Sequence, residues 1–236
     1  MPMRANLPPT AVIFDMDGVL TDSEPMICAA ARAMFLERGL AVEPGDFSPF
    51  VGTGENSYLG GVAKKYQFQI DIPSAKKRTY EIYLEMAPGH LRAFPGAEKL
   101  VRNCRAAGLK IALASSADPV KIEVNLAAMR LAPGFWDAVV SGADVPHKKP
   151  APDLFLEAAR RLREPPERCV VIEDAMHGVQ AAVAAGMRCV AVAQTFPKDQ
   201  LCGAALVRET VAGIRLEDLL DCSFNGTSST EAGGPL

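Results

Sequence analysis

Six short apolar runs, at residues 11–15, 110–115, 138–141, 169–173, 188–193 and 205–207, constrain this chain more than any other feature. Each has the length of one strand, and helical patterns fill most of the intervals. In residues 96–107, Ala97, Leu100, Val101 and Cys104 recur at spacings of three and four, the period of a helix with one apolar face. Gly108 and Gly186 stand where helices must stop before the next strand, because glycine takes the left-handed conformation that closes a helix. Ser116-Ala117-Asp118-Pro119 marks a helix start, a polar cap before a first-turn proline. Strands and helices alternating at these lengths form βαβ units and a parallel sheet.

One interval breaks the alternation. Residues 16–109 contain no clear strand, and 24–38, 55–68 and 74–87 read as helices separated by Gly- and Pro-containing loops. Residues 22–91 are therefore expected to be a helical cap inserted into an α/β core made of residues 1–21 and 92–222. The hinges fall at Leu20-Thr21-Asp22-Ser23 and Ala87-Pro88-Gly89-His90. A chain of 236 residues can bury a full core with a small insertion. The tail, 223–236, is rich in Gly, Ser and Thr and is expected to be disordered. The glycosylation sequon inside it, Asn225-Gly226-Thr227, is read as coincidence.

Several function classes are excluded by composition. Net charge is −3 and no basic stripe is interleaved with aromatics, so nucleic acid is not an expected partner. No apolar run approaches the ~18 residues of a membrane span. Met1-Pro2-Met3-Arg4 opens no apolar signal region. The six cysteines show no Cys-x-x-Cys spacing and several sit inside apolar runs. They read as small buried residues in a reducing compartment, cytoplasmic or another intracellular one. The three histidines make no metal spacing.

Chemistry concentrates where strand-like runs end. Asp15 and Asp17 follow Ala11-Val12-Ile13-Phe14. Two carboxylates this close repel unless a cation lies between them, and hard cations such as Mg²⁺ prefer oxygen ligands. A carboxylate held against such a cation can also attack phosphorus. Downstream stand Ser115-Ser116 after Ile111–Ala114, Lys148-Lys149-Pro150, and Glu173-Asp174 after Val170-Val171-Ile172. In an open parallel sheet, ligands bind beyond the carboxyl ends of the strands. All four segments can therefore meet at one phosphoryl group, bringing a nucleophile, a hydroxyl, a fixed cation and further metal-binding carboxylates.

The runs FDMDGVLTD, LASS, KKPAPD and VIEDA, in this order, resemble the haloacid-dehalogenase-like superfamily of phosphotransferases. The likeness extends from about Ala11 to about Leu220. It is greatest to the branch with a helical cap, which holds β-phosphoglucomutase and phosphoglycolate phosphatase. The resemblance implies a Rossmann-like parallel sheet core with helices on both faces and an inserted all-α cap domain. It implies Asp15 as nucleophile and Asp17 as general acid and base, with the Asp17 carbonyl also on the metal. Ser115 and Lys149 would hold the phosphoryl group, Lys149 being chosen over Lys148 because it directly precedes Pro150. Asp174 would bind Mg²⁺ directly, and Glu173 would bind it through water or support Lys149.

The cap is expected to choose a small phosphorylated metabolite, through Thr21, Glu24, Gly52, Thr53, Gly54 and Glu55, with Ser116 opposite. Where β-phosphoglucomutase carries a histidine and a cap arginine, this chain carries Ile27 and Glu55. A bisphosphate intermediate needs cations there, so hydrolysis is favoured over a phosphomutase. A third reading is a regulatory or partner-binding protein that keeps an intact site. It arises because FVGTGE, FPGAEKLV, ALASSAD and CVVIEDA also resemble a domain of a multi-domain plant thylakoid protein.

Overall fold

The computed structural model describes residues 8–131 and 134–221. The tail 223–236 and its sequon lie outside the described residues, as does Cys222. Six parallel strands form one sheet in the order β3-β2-β1-β4-β5-β6. They are β1 (Ala11–Phe14), β2 (Lys110–Ala114), β3 (Ala138–Val140), β4 (Cys169–Glu173), β5 (Arg188–Val192) and β6 (Leu206–Arg208). The chain runs outward from β1 to β3, then crosses back to β4 on the other side of β1. The strand order thus reverses between β1 and β4, the point at which open α/β sheets bind ligands.

Side chains alternate along the strands and feed two cores. Val12, Phe14, Ile111, Leu113, Val170 and Ile172 face α4 (Ala97–Ala106), α5 (Pro119–Ala127) and α8 (Leu216–Leu220). Ala11, Ile13, Ala112, Ala114 and Val171 face α6 (Asp153–Leu162) and α7 (Met176–Ala184). Both faces being covered explains why the strands read as continuous apolar runs.

A third core belongs to α1 (Glu24–Glu37), α2 (Glu55–Lys65) and α3 (Ile72–Met86), all in the interval between β1 and β2. Phe35 and Phe47 are at its centre, and Phe47 stacks on Tyr58 with ring centroids 4.7 Å apart. Asp71 caps α3 by accepting from the Ser74 N–H at 2.9 Å, and a proline occupies the first turn. The two crossing chains pair with each other: Asp22 N–H donates to the Arg92 carbonyl at 3.0 Å and Phe94 N–H to Leu20 at 2.9 Å. Helix α5 belongs to both bodies. Its Ile122 and Leu126 join the sheet core, whereas Val124 and Ala128 pack against the three-helix cluster. Lys76 of α3 also pairs with Asp118 at 2.6 Å, at the start of α5.

Ile13 is fully buried on the central strand. Ile13→Ala should cost about 2–5 kcal/mol. The denaturation midpoint should fall at an unchanged slope, whereas an unchanged midpoint would contradict this packing.

Candidate active site

Asp15 extends β1 by one residue, its N–H donating to the Ile172 carbonyl at 3.0 Å. The chain then turns back sharply, and Leu20 and Thr21 N–H both donate to the Met16 carbonyl. Gly18 sits in this turn at φ +82°, and a Cβ there would lie 1.8 Å from Asp174 Oδ2. Only glycine fits both the conformation and the space. At the end of β4, Glu173 Oε2 accepts from the N–H groups of Asp174 and Ala175, at 2.7 and 2.9 Å. Its Oε1 accepts from Lys149 at 2.6 Å. A Cβ on Gly178 of α7 would fall 1.7 Å from that same oxygen, so the missing side chain makes room for Glu173.

Lys149 also donates to Asp15 Oδ1 and lies 4.9 Å above the Phe155 ring. It is 3% exposed. Its neighbour Lys148 turns away and donates to the Ser116 carbonyl at 2.9 Å. The geometry thus settles which of the two lysines meets Asp15.

One oxygen each from Asp15, Glu173 and Asp174 lie within 4.8 Å of one another, all buried. Among the described residues, Lys149 is the cation paired with this cluster. Burial pushes the Asp15 carboxyl up to about 8, against the pull of Lys149 and with Glu173 and Asp17 adding to the rise. Burial, Glu173 and Asp15 together hold Asp174 well above the usual carboxylate range. Burial would lower Lys149, but Asp15 and Glu173 outweigh it and hold the ammonium above its ordinary value. Asp174 Oδ2 is buried with no hydrogen-bond partner among the described residues. A hard divalent cation fits this donor set: it takes carboxylate oxygens and removes the excess negative charge.

The Asp17 carboxylate is not in this cluster and faces the three-helix side. Ser23 donates to its Oδ1, as does Asn125 Nδ2 at 3.0 Å. Lys121 Nζ stands 3.0 Å from Oδ2. Asn125 also donates to Thr21 Oγ1 at 3.0 Å and accepts from the Tyr83 hydroxyl at 2.5 Å. Lys121 and Asn125 were not singled out from sequence. The usable signal was their spacing of four on the helix that follows Ser115, which puts both on one face.

The cleft above Asp15 is lined by Glu24, Ile27, Gly52, Gly54, Glu55, Ser115 and Ser116, together with Phe50, Tyr58 and Lys121. Burial raises the Glu24 carboxyl, which accepts from the Tyr58 hydroxyl at 2.7 Å. Ser115 Oγ accepts from the Ala117 N–H at 3.1 Å. Thr21 and Thr53 are placed otherwise than expected. The Thr21 hydroxyl is wholly buried among Met16 and Asn125. The Thr53 hydroxyl closes a turn by donating to the Phe50 carbonyl at 2.7 Å.

A family model for haloacid dehalogenase-like hydrolases matches residues 9–186. The chain belongs to that family of hydrolases. It is 45% identical over 228 residues to Protein SUPPRESSOR OF QUENCHING 1, chloroplastic, of Arabidopsis thaliana. That match covers 94% of this chain but 22% of the plant protein, so the chain spans about a fifth of that relative's length. It is 32% identical to the fructose-1-phosphate phosphatase YqaB of Escherichia coli, over 77% of this chain and 95% of that one. Among solved structures, CbbY from Rhodobacter sphaeroides in complex with phosphate superposes with a TM-score of 0.78 at 25% identity. It covers 87% of this chain and 96% of its own.

Alanine normally stabilises a helix by about 1 kcal/mol relative to glycine. Gly178→Ala should do the reverse. Its Cβ must displace the pinned Glu173 carboxylate, an overpacking cost of about 1–3 kcal/mol. Thermal unfolding should show a lower midpoint and phosphate release should fall with it. A stabilised, fully active variant would contradict the packing described.

Proposed function

We propose that this protein is a Mg²⁺-dependent phosphomonoester hydrolase that works through a phosphorylated Asp15. The observation that carries the reading is the meeting of Asp15, Lys149, Glu173 and Asp174 in one buried corner at the ends of β1 and β4. Asp15 attacks phosphorus and displaces the leaving oxygen, which takes its proton from Asp17. Asp17 then takes a proton from water as that water opens the acyl phosphate, freeing Asp15 and inorganic phosphate. Acid–base help of this kind is worth about 10²–10⁴ in rate. Lys149 and Ser115 bind phosphoryl oxygens. Asp15, Asp174 and the Asp17 carbonyl, with Glu173 through water or as the support of Lys149, would hold Mg²⁺, which would supply positive charge where phosphoryl charge develops. Positioning and charge stabilisation do most of the work in such transfers.

Residues 22–91 act as the cap over a core of residues 1–21 and 92–222. The substrate is a small phosphorylated metabolite of the sugar-phosphate kind, the class named for the E. coli relative. Hydrolysis is favoured over a phosphomutase because Ile27 and Glu55 line the cleft where a bisphosphate would need cations. Lys121 does stand there, but Asp17 and Glu55 already take its charge. A second reading, regulation within a larger assembly, draws on the likeness to one segment of a long plant protein. Weak turnover across a broad phosphate panel with tight binding to one protein would favour it. Among the described residues no helix is long and apolar enough to cross a membrane. The five cysteines among the described residues are free and suit a reducing compartment.

Asp15→Asn should keep the fold and lose at least ~99% of phosphate release, since only the nucleophile's charge is removed. Asp17→Asn should be nearly inactive too, and any phosphoenzyme it forms should persist. Chelation should abolish turnover, and Mg²⁺ should restore it. A folded, active Asp15→Asn protein would refute the reading.

A further inference from the structure

Two buried polar atoms on the outer wall of the cleft have no hydrogen-bond partner among the described residues, Glu55 Oε2 and Ser116 Oγ. Glu55 opens α2 and is 4% exposed. Its other oxygen stands 3.4 Å from Lys121 Nζ. The Tyr80 hydroxyl lies within hydrogen-bonding reach of the Glu55 carboxylate, and Oε2 itself has no partner among the described residues. A buried acceptor without a donor is costly, and Glu55 is one of the residues that line the cleft with Asp15. The loop that presents Glu55 is seated tightly on the core: a Cβ on Gly54, at φ +86°, would lie 2.9 Å from the Ser116 carbonyl. Glu55 and Ser116 therefore form one continuous wall.

The charge on that wall is already spoken for. Lys121 is buried and is shared between Asp17, at 3.0 Å, and Glu55, at 3.4 Å. Even with Asp17 protonated for its role as the acid, the Lys121 ammonium is matched by the Glu55 carboxylate, which leaves no positive charge free for an incoming anion. A carboxylate or second phosphate on the leaving group would be pressed against Glu55, and like charges so placed are strongly disfavoured. A hydroxyl would instead supply the donor that Glu55 Oε2 lacks, leaving the Lys121 pairs intact.

Resting on the phosphatase reading, we propose that Glu55 and Lys121 form a charge filter for the leaving group. The site takes monophosphates of neutral polyhydroxy compounds, with a substrate hydroxyl donating to Glu55 Oε2, and rejects leaving groups that carry a carboxylate or a second phosphate. Specificity here comes from a feature that opposes the wrong ligand as much as from one that binds the right one.

The test compares kcat/KM of the Mg²⁺-loaded full chain for two sets of esters. Glycerol 1-phosphate and fructose 1-phosphate are neutral beyond their phosphate; phosphoglycolate and fructose 1,6-bisphosphate are not. The wild type should favour the neutral set by at least ~10-fold, the scale set by leaving a buried polar group unpaired. Glu55→Gln frees Lys121 of one partner. The neutral-to-anionic ratio should then fall by at least ~10-fold, with the gain for anionic esters appearing in KM. A ratio unmoved by Glu55→Gln would overturn the filter, and so would a wild type that prefers phosphoglycolate. If Glu55→Gln does not fold, the wild-type ratio decides alone. Preference for ethanolamine phosphate over glycerol 1-phosphate would overturn the hydroxyl assignment. Release from no ester at all would instead remove the phosphatase reading, and the filter with it.

Discussion

The contact between Lys149 and the carboxylates of Asp15 and Glu173 is what the rest of the site depends on. One buried ammonium cannot offset three buried carboxylates, because an uncompensated charge in the interior costs several kcal/mol. The surrounding backbone is shaped to keep this unfavourable group together. Two N–H groups at the start of α7 hold Glu173. Gly178 makes room for it and Gly18 makes room for Asp174. An arrangement that strains its own electrostatics in this way marks a candidate functional site, and the proposed ligands, a cation and a phosphoryl group, would relieve that strain.

Helix α5 is the second element of the design. It packs on the sheet with one set of residues and on the three-helix cluster with another. Its Lys121 and Asn125 hold Asp17 from the side opposite the metal corner. Asn125 reaches Tyr83 on the cap and Lys121 reaches Glu55. The two carboxylates of the Asp15–Asp17 pair thus have separate environments, one facing Lys149 and Asp174, the other facing α5 and the cap. In the mechanism proposed above, that separation is what allows Asp15 to be the nucleophile while Asp17 handles protons.

Much of this was legible in the chain. Strands buried on both faces leave continuous apolar runs, so all six were found, and the long strand-free interval marked α1, α2 and α3. The polar residues at strand ends were legible for the same reason: they interrupt an apolar run at a place the topology makes functional. Thr21 and Thr53 were misplaced because a hydroxyl near a cleft can as easily bond its own backbone as face the cleft. Lys121 was overlooked because a lysine on a helix is ordinarily solvated. Only the packing of α5 between two bodies shows that this one is buried. Sequence left Lys148 and Lys149 one residue apart, with Pro150 favouring the second, and contact with Asp15 decided it.

The central claim is that the carboxylate corner is a divalent metal site, and thermal unfolding with and without Mg²⁺ tests it most directly, with no dependence on turnover. Binding only to the folded state at 100 times the dissociation constant adds about 2.7 kcal/mol. The wild-type midpoint should therefore rise by several degrees in saturating Mg²⁺. Asp174→Asn should gain little from Mg²⁺, because one of the carboxylates that would hold the ion is gone. A wild-type midpoint indifferent to Mg²⁺, or an equal rise in Asp174→Asn, would contradict the account.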